Sequence, residues 1–328
     1  MKKRYIILTA CILLFVVLLT SCKGKGEDTD TAAEYCTVTF ETWGGSEISA
    51  VRVIKGNKIN EPTPPTKDGF VFNGWAYNGV EWFFDRDKVT ENITLTAKWT
   101  DVEALYELSG DVNAGFTVTA VKKELDNMTV PASVRGGNIV AVGESAFEGV
   151  SETVKSITLA ETVKSVGKNA FKDVTAEINV KGELTQIGES AFYGCTGLKK
   201  IGFGEGLKTV SPTAFWGCTS LSELVFPSTL EKIDENAFED CTSVKAIIMH
   251  KQTATVCDGA FFNMPSLEVV YYYGTEADVD GVNVSLKNED FEDVIESNVY
   301  FYSAEKPTSK GKYWYFSDSG KIRVWEDK

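Results

Sequence analysis

Histidine is nearly missing from this chain: 328 residues contain one, His250. That excludes metal centres built on several imidazoles and leaves a Ser-His-Asp site a single residue to use. No G-x-S-x-G turn accompanies it, and period alignment puts His250 beside Gly204 and Pro227, at a surface turn. Cysteine is sparse, with seven residues and no C-x-x-C pair, and no phosphate-cradling G-x-x-x-x-G-K-[ST] occurs. Asp278, Asp280 and Gly281 resemble part of a calcium loop, but the remaining ligands are missing. These gaps point away from catalysis, and no cofactor or metal is expected. Basic residues are outnumbered 33 to 47, a net charge of −14, which disfavours nucleic acid as a partner. Carboxylates are abundant, and spacing alone does not separate a glycosidase pair from a solvated surface. Their scatter over coil positions favours the surface.

What is present begins with an address. Lys2, Lys3 and Arg4 precede an apolar run at 5–19, too short to span a bilayer with confidence and suited to a signal segment. Leu19-Thr20-Ser21-Cys22 follows and resembles the bacterial lipobox. The resemblance implies that residues 1–21 are a lipoprotein signal peptide and that the Cys22 thiol accepts the lipid. Loss of 1–21 takes away three basic residues and no acid, leaving −17. Residues 22–34 are polar and aperiodic and read as a flexible tether. The expected location is the bacterial envelope after export, at the outer membrane or cell surface.

Residues 35–100 carry two period-2 runs. Cys36, Val38 and Phe40 alternate with polar residues, as do Ile93, Leu95, Ala97 and Trp99. Gly44-Gly45, Asn73-Gly74, Asn78-Gly79 and a Pro-rich stretch at 61–65 separate them. The segments TVTFETWGGSE, PPTKDGFVFNGW and ITLTAKW resemble the internalin-type B repeat, which implies a small β-grasp-like domain. Trp75 and Trp82 either fill its small core or form a sugar platform.

The rest of the chain repeats itself. Ala-Phe recurs with Phe at 147, 171, 192, 215, 238 and 261, spacings of 24, 21, 23, 23 and 23. Ile157, Ile178, Ile201, Leu224 and Ile247 lie fourteen residues before the later Phe residues; Val166, Ile187, Val210, Ile233 and Val256 lie five before. A period near 23 falls within the leucine-rich-repeat range, and coils that cannot bury their own apolar face must stack. Each repeat reads as a strand, a turn, a second short strand, and a short helical or 3₁₀ turn around Ala-Phe. The I-G-x-x-A-F-x-x-C-x-x-L usage resembles the BspA-like leucine-rich repeats of bacterial surface proteins, and the segment ending FYSAEKPTSKGKYWYFSDSGKIRVW resembles their terminal part.

The fold class expected is therefore mainly β with short helical turns, a leucine-rich-repeat solenoid preceded by a small β-grasp-like domain. A lead-in or cap occupies 101–145, repeats 146–273 and a C-terminal cap 274–328. Cys195, Cys218 and Cys241 share a column with Val150, Val174 and Met264 and are expected as free, buried thiols. The function implied is a non-catalytic binding or adhesion module for a host or bacterial surface protein or a glycan, held to the membrane by its lipid. The alternative is a structural or accessory lipoprotein of an envelope or glycan-uptake assembly.

One candidate site stands out. Two outward columns of the first strand turn apolar toward the C-terminus, through Val225, Ala246, Ile248, Val269 and Tyr271. Either residues 275–328 fold over this cluster, or it is a ligand site with Tyr271 as aromatic anchor and Asn179 and Lys200 on its polar rim.

Overall fold

The computed structural model describes residues 33–253, 255–308 and 311–325. Cys22, the segment expected to be a signal peptide and most of the expected tether lie outside the described residues.

The alternating run at Tyr35–Glu41 pairs in parallel with the one at Ile93–Asp101, Val38 opposite Ile93. Val51–Ile54, Phe70–Tyr77 and Val80–Trp82 complete a five-stranded mixed sheet. The inward residues of the central pair, Cys36, Val38, Ile93, Leu95 and Ala97, are buried. Trp75 lies at the centre of this core, edge-on to Phe40 at 5.0 Å and to Phe72 at 5.3 Å, so it has no face to offer a sugar. Trp82 is half-buried against the same cluster. The domain is sealed onto the solenoid. Gly69 N donates to Ser133 O at 3.2 Å, Gly136 N donates to Asp68 Oδ2 at 2.9 Å, and Val71 joins the solenoid core.

In the solenoid the two apolar columns become two sets of short parallel strands. Gly115–Val121, Gly137–Val142, Ser165–Val166 and Gln186–Ile187 form one side of the N-terminal half; Asn127–Val130, Ser156–Leu159 and Glu177–Val180 form another. Both sheets stop there and restart later. Thr209–Val210, Lys232–Ile233, Thr255–Val256 and Asn283–Val284 make the third. Glu223–Val225, Ala246–His250, Val269–Tyr273, Val299–Tyr302, Tyr313–Phe316 and Ile322–Val324 make the fourth.

The interruption has a sequence cause. Phe171 and Ile178 are two residues closer together than Phe192 and Ile201. The longer connection slides Leu198 beside Ile178, and only the isolated bridges Ile178–Leu198 and Leu184–Phe203 cross the gap. Gly202 and Gly204 add no strand-forming side chain there. Lys200, expected on a strand, therefore sits in an irregular exposed segment.

The third side of each coil holds Ala-Phe. The sequence reads there as a helical or 3₁₀ turn, whereas the structure has a run of turns that are neither. The residue two before each Phe (Ser145, Asn169, Ser190, Thr213, Asn236, Gly259) has φ between +53° and +63°, and the residue two after it is also left-handed. Two such residues per coil stop a right-handed helix from propagating. Inside, the six Phe rings form a ladder with centroid steps of 4.8, 5.3, 5.2, 5.0 and 5.7 Å. The backbone repeats alongside them: each of the first five Phe amides donates to the next Ala carbonyl at 2.8 Å. Cys195, Cys218 and Cys241 are free and buried, their thiols donating to Phe171, Phe192 and Phe215 carbonyls at 3.0–3.2 Å.

Both ladders end in residues outside the recognised repeats. Tyr106 closes the ring ladder at the N-terminal end and Phe291, in the helix Glu289–Ser297, at the other, 4.7 Å from Phe261. The Phe261 amide has no further Ala to meet and donates to Asn288 Oδ1 at 2.8 Å. The stacked coils thus run beyond 146–273 at both ends: Asn127–Val130 and Val299–Tyr302 lie in register with the repeat strands.

Candidate functional site

The fourth sheet carries the apolar outer columns. Register places Glu223, Ala246 and Val269 in one row, and Val225, Ile248, Tyr271 and Tyr300 in the next. His250 and Tyr273 continue the face, their rings stacked at 4.2 Å and 6°. His250 therefore ends a strand and is half-buried, contrary to the surface turn expected from alignment with Gly204 and Pro227.

The C-terminal segment covers part of this face. Tyr313–Phe316 alternates Trp314 and Phe316 toward it, and Trp314 reaches back across the neighbouring strand. Its ring lies 5.4 Å from Tyr271, 4.8 Å from Tyr273 and 5.1 Å from Tyr302, and it is fully buried. The seven expected residues consequently separate. Ile248 is only 3% exposed. Tyr271, Ala246 and Val269 are half-buried, while Val225 stands out at 45%. Asn179 is exposed but belongs to the second sheet, and Lys200 lies in the gap between sheets. The geometry thus keeps Val225, Ala246, Ile248, Val269 and Tyr271 on one face, and leaves Asn179 and Lys200 off it.

Between the covered and open parts lies a cleft of about 230 Å³, its apolar lining including Phe203, Val225, Ile248, Tyr273 and Phe316. Glu183, Glu205 and His250 supply its ionisable groups. Ser228 holds the Glu205 carboxylate through its amide at 3.1 Å and its hydroxyl at 2.9 Å, and these bonds lower the Glu205 pKa. Burial lowers the His250 pKa, partly opposed by the Glu205 charge. At neutral pH the cleft thus has a neutral imidazole, an ionised carboxylate and aromatic walls. It can stack and hydrogen-bond a ligand. Asp278, considered for calcium, instead caps the turn Glu276–Val279, accepting from the amide and hydroxyl of Thr275 at 2.8 Å. Among the described residues, no cluster of three metal-ligating side chains occurs.

Glu183, Glu205, Trp314 and Phe316 escaped the sequence reading. The last two were accessible in principle, because Tyr-Trp-Tyr-Phe is a four-residue aromatic strand whose alternate members must share a face. The two glutamates carried no such signal; coil stacking alone brings them together.

Residues 122–179 and 174–279 match the family described as BspA type leucine rich repeat region, in six copies, and residues 36–98 match the Listeria-Bacteroides repeat domain. A protein of Evansella cellulosilytica named as a membrane protein is 30% identical over 166 residues, 49% of this chain and 25% of that protein. Internalin H of Listeria monocytogenes serovar 1/2a is 34% identical over 97 residues, 28% of this chain and 17% of that one. The chain spans a quarter or less of the length of these curated relatives. Among solved structures, a Treponema pallidum leucine-rich-repeat protein aligns with a TM-score of 0.47 at 21% identity, covering 62% of this chain and 86% of its own. On these family matches, laid over the stacked coils and the N-terminal sheet, the chain is a BspA-like leucine-rich-repeat protein with an N-terminal Listeria-Bacteroides repeat domain.

Proposed function

We propose that this protein is a non-catalytic binding module of the bacterial envelope, tethered by lipid at Cys22 and presenting its C-terminal sheet to a macromolecular ligand. The observation that carries the reading is the cleft between Val225 and Phe316. Both residues are large, apolar and more than 40% exposed, on a face whose neighbours the C-terminal strands do cover. Val225, Ala246, Val269 and Tyr271 form the contact face, with Ile248 as its floor rather than an anchor; Asn179 and Lys200 form an outlying polar margin. The relatives named as a membrane protein and an internalin support an envelope location, and a protein ligand fits the repeat family.

Two measurements test this. Intact cells producing the full chain are treated with a membrane-impermeant amine reagent; labelling of its exposed lysines, Lys199 and Lys200 among them, is expected. Protection until the envelope is opened would favour an internal accessory role instead. The same cells, and cells producing Val225→Asp with Phe316→Ala, are then applied to arrayed extracellular proteins and glycans. The double variant is expected to lose binding while melting within a few degrees of the parent. Binding that survives it places the ligand elsewhere.

A further inference from the structure

The third side of the solenoid, away from both sheets, has a column directly after each ladder Phe: Glu148, Lys172, Tyr193, Trp216, Glu239 and Phe262. It faces outward, and charged residues occupy half of it, so nothing in the packing requires aromatics there. Yet Tyr193 and Trp216, in adjacent coils, stack at 4.5 Å and 20°. Lys172 covers the far face of Tyr193 at 5.8 Å and reaches Glu148 at 4.0 Å. The N-terminal face of the aromatic pair thus has a cation and its counter-ion. On the other side the next member of the column is Glu239, and the described ion pairs bring it no cation.

Beside the rings the column two after Phe reads Asp173, Gly194, Gly217 and Asp240, each left-handed. A side chain at Gly194 would collide with the Asp173 carboxylate, so the backbone there is bare. Two glycines thus lie beside Tyr193 and Trp216, with Asp173 one coil before them and Asp240, which accepts from Asn263 Nδ2 at 2.7 Å, one coil after. Burial raises the Tyr193 pKa, and the charges of Asp173, Glu239 and Asp240 push it further in the same direction.

We propose that this surface receives a cationic side chain, an arginine above all, from a basic segment of a partner protein. A guanidinium fits because it is flat, can stack on the Trp216 indole face turned away from Tyr193, and pairs with carboxylates such as Glu239 and Asp240 on that side. The site complements the arrangement that Lys172 and Glu148 make within the chain, and the excess of 47 acidic over 33 basic residues draws a basic segment toward it. The surface is separate from the Val225–Phe316 cleft, and either can stand without the other.

The test uses the detergent-solubilised full chain labelled with ¹⁵N and a short Gly/Ser peptide carrying three arginines. The Trp216 indole N–H resonance is identified by its loss in Trp216→Ala. Titration with the arginine peptide is expected to shift it, while the citrulline version, which has the same shape without the charge, leaves it in place. Trp216→Ala, and Asp173→Asn with Asp240→Asn, are each expected to weaken the peptide about tenfold or more; Asn263 occupies the same left-handed position, so asparagine is tolerated there. Glu161→Gln, at an exposed glutamate outside both surfaces, leaves affinity unchanged. No shift at millimolar arginine peptide, an equal response to citrulline, or unchanged affinity in Trp216→Ala overturns the proposal. Displacement of the peptide by a neutral oligosaccharide would reassign the surface to glycans and overturn it equally.

Discussion

Replacing Asn288 with alanine should unfasten the C-terminal end of the solenoid. Asn288 is fully buried and makes four hydrogen bonds. Its Oδ1 accepts from Phe261 N at 2.8 Å, and its Nδ2 donates to the carbonyls of Ser285 at 2.7 Å, Cys257 at 3.0 Å and Leu286 at 3.3 Å. The losses are unequal. Cys257 O still receives Ala260 N, and Leu286 O still receives Gly259 N. The Phe261 amide loses its acceptor and Ser285 O loses its donor. Two orphaned buried groups cost about 1–3 kcal/mol each, and the two weaker bonds about 0.5–1 kcal/mol each. The expected destabilisation is therefore about 3–8 kcal/mol.

Solenoids unfold in nearest-neighbour units, so the loss should appear first as fraying of the last coils and then as a lower melting temperature. Amide exchange at Phe261 and in residues 274–325 reads the fraying; thermal melting reads the rest. A global loss of this size lowers Tm by about 6–32 °C for a domain this large. Leu286→Ala, at a residue 75% exposed, is the control. Asn288→Asp sharpens the test. It keeps an acceptor for Phe261 but turns a donor into lone pairs facing three carbonyls, so it should be as damaging at neutral pH and recover on acidification. An Asn288→Ala protein that melts within 2 °C of the parent, with Phe261 still protected, would refute the account of how the ladder ends.

Trp314→Ala removes a fully buried ring wedged among Tyr271, Tyr273 and Tyr302 and should cost about 3–5 kcal/mol, read by denaturant melting; a cost below 1 kcal/mol would mean the segment does not close that face. Thr213 is β-branched yet left-handed, with φ +53°, where Asn169 and Asn236 hold the equivalent position; Thr213→Asn should stabilise by about 1 kcal/mol, and an unchanged or lower Tm counts against stored strain. His250 has a lowered pKa, so the unfolded chain binds its proton more readily than the folded one. Its contribution is complete above the unfolded value near 6.5 and is lost as pH falls through the folded value; His250→Gln should flatten the fall in Tm between pH 7 and 5, and an unaltered slope would contradict this. Burial pushes the Cys195 and Cys218 thiols up, so a thiol reagent should leave both unmodified in the native chain and react with them in denaturant; rapid native labelling or an intact disulfide by mass would refute this.

The parts of this fold that could be read from sequence are those that recur. Stacking presents each inward position to the same neighbours coil after coil, so Phe, Ile and Val return at fixed intervals and the ladder of rings is visible before any coordinate. Left-handed positions recur too, but as Ser, Asn, Thr or Gly, residues also common at helix starts, so the turn around Ala-Phe reads in sequence as helical or 3₁₀. What happens once leaves no period. The two-residue shortening after Phe171 divides the sheets, yet in the sequence it is only a spacing of 21 among 23s. Asn288 and Phe291 replace the missing seventh Ala-Phe by different chemistry thirty residues on, so the end of the solenoid looked like a separate cap.

The candidate site follows the same division. Its floor is periodic, and Val225, Ile248 and Tyr271 were found because register strings them into one column. Its cover and its charges are not. Trp314 comes from an antiparallel strand pair outside the repeats, and Glu205 is set by a hydrogen bond from Ser228, one coil away. Tyr193 and Trp216 are the opposite case. They sit in a fully periodic column where the fold accepts glutamate or lysine equally well, so the repeat accounts for their position and leaves their identity unexplained. In a solenoid, departure from the pattern at an outward, unconstrained position is where selection for a partner can register without cost to the core. That logic ranks the aromatic pair above the half-covered sheet as the place to look for binding that depends on a single side chain.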